Sequence, residues 1–284
     1  MRPTIFLFVV VVLLAIMDGS RAIAEEDVDQ RGGQIERLRR QGFPLMDLHV
    51  HLKGGLTLEQ ALEKSRQTGI TYGIAPNCGL GFPITDDSGI ARFMESMKGR
   101  PVYLGMQAEG REWVKLFSRE AVEKFDYVFT DAMTFTDDRG KRVRLWIPEE
   151  VRIDDPETFM EMYVDRILLV LNTEPIDVYV NATYLPARIA ADYDRLWTPA
   201  RSQKVVDAAV KNRIAVEINA RYRIPSAAFI QRAKAAGVKF TFGTNNSDAD
   251  LGRLEYCLDM IDACGLTSQD MFVPDSRSDP EHLR

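Results

Sequence analysis

The chain has 284 residues, 45% of them hydrophobic and 27% charged, with a formal net charge of −6. That is enough apolar material for one large core, and the acidic balance excludes a protein that grips nucleic acid through its phosphates. Three cysteines, Cys78, Cys257 and Cys264, make an odd number, which is no disulfide framework.

Taken in chain order, Arg2 precedes an apolar run from Ile5 to Met17, which Asp18-Gly19-Ser20 interrupts. Ala22-Ile23-Ala24 then offers the small residues that a signal peptidase reads. Residues 1–24 are therefore expected to be a signal peptide, cut before Glu25, that exports the protein to a periplasm or the medium. The run is shorter than the roughly 20 residues that span a bilayer, so no stable membrane anchor is expected after cleavage. Residues 25–43 read as a charged linker with a short helix from Gln34 to Gln41, and residues 44–284 as the folded domain.

From Pro44 onward strand and helix patterns alternate. Strands are expected at Leu45 to His51, Tyr72 to Pro76, Val102 to Gln107, Tyr127 to Met133, Val178 to Thr183, Ala215 to Asn219 and Lys239 to Phe242. Helices are expected at Thr57 to Thr68 (Thr57 as N-cap, Gly69 as stop), Gly89 to Met97, Arg111 to Lys124, Pro156 to Asn172, Arg201 to Asn212, Ser226 to Ala236 and Leu251 to Cys264. Asp137 to Asp154 reads as an insertion. Cys257 and Cys264 lie on the last helix, roughly 10 Å apart along its axis, too far for a bridge. Unbroken β-then-α alternation predicts an α/β fold with a parallel sheet, most simply a closed TIM-like barrel of seven or eight units. An open doubly wound sheet is the alternative, and no glycine fingerprint for a dinucleotide supports it.

Barrel chemistry sits at the C-terminal ends of the strands. Those ends carry His49 and His51, Asn77 and Cys78, Glu109, Asp131 and Met133, Asn181, Glu217 and Asn219, then Asn245, Asn246 and Asp248. Strand side chains alternate, so His49 and His51 face one way, and both imidazoles can reach one metal.

Asp47-Leu-His-Val-His51, followed by Gly55-Leu-Thr-Leu-Glu-Gln-Ala-Leu62, resembles the opening of the polymerase and histidinol phosphatase (PHP) family. Val102 to Glu109 is similar to that family's third strand, Glu217-Ile218-Asn219 to its Glu-Ile-Asn element, and Ala235 to Gly243 to the strand before its last metal motif. The resemblance spans roughly residues 44–265. It implies a distorted seven-stranded barrel and hydrolysis of phosphoesters with two or three metal ions. It implies that Glu109 bridges metals.

Several ligand positions depart from the family pattern. Asn77 stands where an Asp-His element is usual, Met133 where a histidine is usual, and Asn181 where a His-Pro is usual. The final Gly-Ser-Asp-Ala-His becomes Gly243-Thr-Asn-Asn-Ser-Asp-Ala-Asp250. With three histidines in the chain, one of them His282 in the tail, a usual trinuclear site is out of reach. The resemblance then implies a reduced site of His49, His51 and Glu109, with Asp131 or Asp248 as fourth ligand, around one divalent ion (zinc, manganese or iron) or none. Asp248 or Glu217 is the candidate general base. Asn77, Asn181, Asn219, Arg221, Asn245 and Asn246 are candidates to hold a small-molecule substrate, with Arg223 beside them and Trp146, Tyr184 and Trp197 in covering loops. Glu217 as a buried structural carboxylate and Asp248 as a helix cap are the competing roles. Three readings stand: an exported PHP-like hydrolase with a reduced metal site, an inactive barrel binding a small polar ligand such as a carbohydrate, and an amidohydrolase-type deaminase or amidase.

Overall fold

A computed structural model describes residues 31–275; the expected signal peptide and His282 lie outside them. The chain divides into two compact units, Met1–Leu45 and Met46–Arg284. In the first, residues 31–40 form helix α1, closed by a turn in which Phe43 N–H donates to Leu38 O (2.9 Å).

The second unit holds strands β1 (Met46–Val50), β2 (Thr71–Ile74), β3 (Asn77–Gly79), β4 (Tyr103–Glu109), β5 (Tyr127–Thr130), β6 (Thr134–Thr136), β7 (Arg142–Arg144), β8 (Val178–Tyr179), β9 (Ala215–Asn219) and β10 (Phe240–Gly243). Strands β2-β1-β10-β9-β8-β5-β4 lie side by side and parallel, and β2 pairs again with β4, which closes a ring of seven. Strand β3 continues the wall beside the upper half of β4. The expected TIM-like barrel is therefore the one found, and the open sheet is not. Within the expected insertion, β7 pairs antiparallel with β6, so the segment opens as a hairpin.

Helix α2 (Leu58–Thr68) starts at Thr57, whose hydroxyl accepts from Gln60 N–H, and stops at left-handed Gly69. Helices α3 (Asp87–Met97), α6 (Pro156–Thr173), α8 (Pro199–Asn212) and α9 (Ala227–Ala235) lie where apolar spacing put them. The expected Arg111–Lys124 helix is instead two single turns, α4 (Trp113–Leu116) and α5 (Arg119–Val122). Phe117 is extended, and the Ser118 hydroxyl accepts from Ala121 N–H to start α5 afresh. A short α7 (Tyr193–Leu196) precedes α8. Helix α10 (Glu255–Cys264) begins later than expected, and Leu254 precedes it without a side-chain cap. Asp248 therefore does not cap it. Strands β5 and β8 also end early. After β5 the Asp131 carboxylate accepts from Met133 N–H (2.8 Å), and after β8 Asn181 turns left-handed (φ 52).

The barrel interior is apolar in its lower part. Met46, Leu48, Ala75, Tyr127, Phe129, Val178, Val180 and Ala215 pack together, with Tyr103 and Phe272 against them. Tyr127 crosses this space and donates to Leu48 O (2.6 Å). Gly73 and Gly105 make its room, since a Cβ on either would overlap the tyrosine ring or hydroxyl. Along β1 the register against β2 shifts between Asp47 and Val50. That one-residue irregularity lets Met46 and Leu48 join the apolar plug while His49, next in sequence, still faces polar partners inside the barrel; re-aiming of this kind is what bulges do.

Candidate functional site

Just above the plug lies a sealed polar layer. His49 Nδ1 meets Glu217 Oε1 at 2.5 Å, and its Nε2 lies 3.3 Å from Gln107 Oε1. Both members of the His49–Glu217 pair are essentially without solvent exposure (1% and 0%). The other Glu217 oxygen accepts from Asn181 N–H (2.9 Å) and from the Asn219 amide (3.0 Å). Burial alone would raise the Glu217 carboxyl, but the His49 ring and these donors outweigh it and hold the pKa below the ordinary value. Gly243 on β10 makes the contact possible, because a Cβ there would overlap Glu217 Oε1 and crowd the His49 Cβ. On the outer side of β1 the Asp47 carboxylate accepts from Thr244 N–H, the Thr244 hydroxyl and His49 N–H, which ties β1 to the end of β10.

One layer higher the barrel opens into a cavity of about 340 Å³ lined by His51, Lys53, Asn77, Phe82, Gln107, Glu109, Asp131, Met133, Trp146, Asn181, Arg221, Tyr222 and Asn245. His51 Nδ1 lies 2.6 Å from Ala75 O, so that nitrogen carries the proton and Nε2 keeps its lone pair. Burial, then the charges of His49 and Lys53, push the His51 pKa well below the ordinary value. The Asn77 amide donates to Glu109 (2.8 Å) and the Asn181 amide to Asp131 (2.9 Å). Burial, then the neighbouring Asp131, raises the Glu109 carboxyl to about 8, and burial raises Asp131 as well. Opposite in charge, Lys53 and Arg221 also line this cavity. Arg221 donates to Asn245 O (3.1 Å) and lies 5.4 Å from the Tyr222 ring centre. Neither Lys53 nor Arg221 is in an ion pair among the described residues. Partial burial, then repulsion from Arg221, lowers the Lys53 ammonium.

This places the residues expected from the sequence. His51, Glu109, Asp131, Asn77, Asn181, Arg221 and Asn245 converge on the mouth. His49 and Glu217 lie beneath it, tied to each other. Asn219 is buried there too, donating to Asn181 and Glu217 and accepting from Tyr222 N–H (2.9 Å). Asn246 braces the loops by accepting from His51 N–H and donating to His51 O and Asp248 O. Asp248 is exposed, accepts from Asp250 N–H (2.9 Å), and lines a different hollow with Arg253 and Glu255. It does not stand beside the mouth carboxylates as a base would. Trp197 is buried and lines neither cavity. Asn181 and Asn245 have a conformational reason to be asparagine, since both adopt positive φ (52 and 44), which asparagine tolerates better than most residues.

The donor set does not fit a metal centre of two or three ions. Amides stand at 77, 181 and 245 and a thioether at 133, and both His49 ring nitrogens already face protein partners. Two cations line the same cavity. Among the described residues no three His, Cys, Asp or Glu side chains are placed to share an ion. Gln107, Lys53, Phe82 and Tyr222 were not foreseen as site residues. Gln107 lies two residues before Glu109 on β4, so strand alternation already points it inward.

A larger hollow, about 710 Å³, lies beside Val128, Ile176 and Ile214, at the entry ends of β5, β8 and β9, away from the strand ends where barrel chemistry is built. No helix among the described residues is long and apolar enough to cross a membrane.

No protein-family profile and no curated protein matches this sequence. Among solved structures the chain is similar to histidinol phosphate phosphatase from Lactococcus lactis subsp. lactis Il1403, a structure complexed with zinc, L-histidinol and phosphate. The match has a TM-score of 0.56 at 14% sequence identity and covers 79% of this chain and 95% of that one. The fold of this chain is thus the PHP-type barrel that its opening strand and Glu-Ile-Asn element suggested.

Proposed function

We propose that this protein is an exported barrel of PHP type that binds a small phosphoester-class anion at its mouth, with Lys53 and Arg221 supplying the positive charge. The observation that carries this reading is the pair itself: two cations lining one cavity, neither in an ion pair among the described residues, beside amides that can donate to anion oxygens and beside Glu109, whose charge acts on Lys53. Guanidinium and ammonium groups are the usual protein donors to phosphate. The phosphate in the solved relative supports the ligand class. Export rests on the pattern of residues 1–24, and amino-terminal sequencing of protein recovered outside the cytoplasm should begin at Glu25.

Calorimetric titration with inorganic phosphate tests the binding reading. Wild-type protein treated with a chelator should bind, and Lys53→Ala/Arg221→Ala should lose binding by about tenfold or more, roughly one charge-assisted contact. Absence of phosphate binding in the wild type would overturn it. A second reading, a phosphoesterase with a reduced metal site, is favoured by one observation. The neutral His51 ring is held through Nδ1 by a carbonyl and keeps its other nitrogen free, as metal-binding histidines do.

A further inference from the structure

Beside the mouth lies a second cavity, of about 580 Å³, with four tyrosines in its lining: Tyr184, Tyr193, Tyr222 and Tyr256. One short loop separates the two spaces. Asn219 and Ile224 pair across it through both backbone hydrogen bonds (2.7 and 3.3 Å), so Arg221, Tyr222 and Arg223 form its tip. Arg221 lines the mouth, Arg223 lines the second cavity, and Tyr222 lines both. The Tyr222 ring meets Tyr184 edge-on at 4.9 Å, and Arg223 lies over Tyr256 at 4.9 Å. Tyr193 and Tyr256 are fixed by their hydroxyls, the first to Thr183 and Ser226, the second to Pro225 O. The rings are thus held as walls instead of filling the space. Small residues at the rim, Ala187 and Ala190, are exposed and leave it open.

We infer that this tyrosine-walled cavity is a subsite for a planar, aromatic ring carried by the same ligand whose anionic end lies between Lys53 and Arg221. The inference rests on the anion reading of the mouth. Adjacency carries it: Tyr222 lines both cavities, so a ligand that reaches past that ring from the mouth meets the second cavity. Aromatic walls favour a flat apolar ring by stacking and edge contacts, and Arg223 adds a cation at the rim.

Titration of the full-length chain with inorganic phosphate, phenyl phosphate and 3-phenylpropyl phosphate tests this. At least one ring-bearing phosphate should bind about tenfold or more tighter than phosphate, as burial of an aromatic ring provides. Ala190→Trp, which fills the cavity from its rim, should abolish that increment while phosphate still binds. Equal binding of all three probes by the wild type, or an increment that survives Ala190→Trp, would overturn the subsite and leave the mouth reading standing. Failure of phosphate and both ring phosphates to bind would overturn both.

Discussion

Two polar layers stacked in one barrel behave in opposite ways. In the lower one, His49, Glu217, Asn219 and Gln107 satisfy one another, and the Glu217 charge is held by its neighbours. In the upper one, a single step along the strands, carboxylates and cations line the same cavity without ion pairs between them. A buried charge is tolerated only when paired and hydrogen-bonded. The lower layer meets that condition and serves stability. The upper layer is open instead: Glu109 and Asp131 are buried against amide donors, while Lys53 and Arg221 are exposed at the mouth without an ion pair among the described residues, as in a site that can meet a ligand.

The comparison breaks most severely at Glu217. Glu217→Ala leaves His49, Asn181 N–H and Asn219 without their acceptor in a sealed space, and should cost about 3–5 kcal/mol in urea unfolding. Next comes Gly243→Ala, whose methyl would displace that same carboxylate; overpacking of this kind costs about 1–3 kcal/mol, read as a lowered melting temperature. In the upper layer the effect is pH-dependent. Glu109 binds its proton more tightly folded than unfolded, so its contribution is present at low pH and is lost as pH rises from the ordinary carboxyl value of 4.5 to about 8. Glu109→Gln should flatten that fall when unfolding is measured across this window. Smallest of all is Lys53→Ala, which should change stability by less than about 0.5 kcal/mol while weakening phosphate binding. A large loss of stability from Lys53→Ala would remove the distinction between the layers.

The sequence disclosed the barrel because strand and helix periods alternate over most of its length, and Thr57, Gly69 and Ser226 mark helix ends where they were expected. It also placed His49 and His51 on one side. It did not show that they belong to different layers, since His49 meets a partner 168 residues away through the β1-β10-β9 neighbourhood, which exists only once the ring closes. Asn181 and Asn245 looked like ligands exchanged for amides, while their backbone angles give them a local reason to be asparagine. Lys53 lies beyond the end of β1, where alternation gives no direction, and so the cation pair with Arg221 was legible only by half. The place of Asp248 was hidden for a similar reason: spacing gave its distance from Gly243 but not that the loop leaves it exposed, lining a hollow with Arg253 and Glu255.

Whether the mouth holds an anion without a metal can be decided by plasma mass spectrometry on wild type beside His49→Ala/His51→Ala, after purification and after soaking with zinc, manganese and iron. Substoichiometric metal is expected in both proteins, with wild-type phosphate binding that a chelator leaves unchanged. One or more ions per chain in the wild type, lost in the double variant, with phosphate binding that follows the metal, would contradict that expectation.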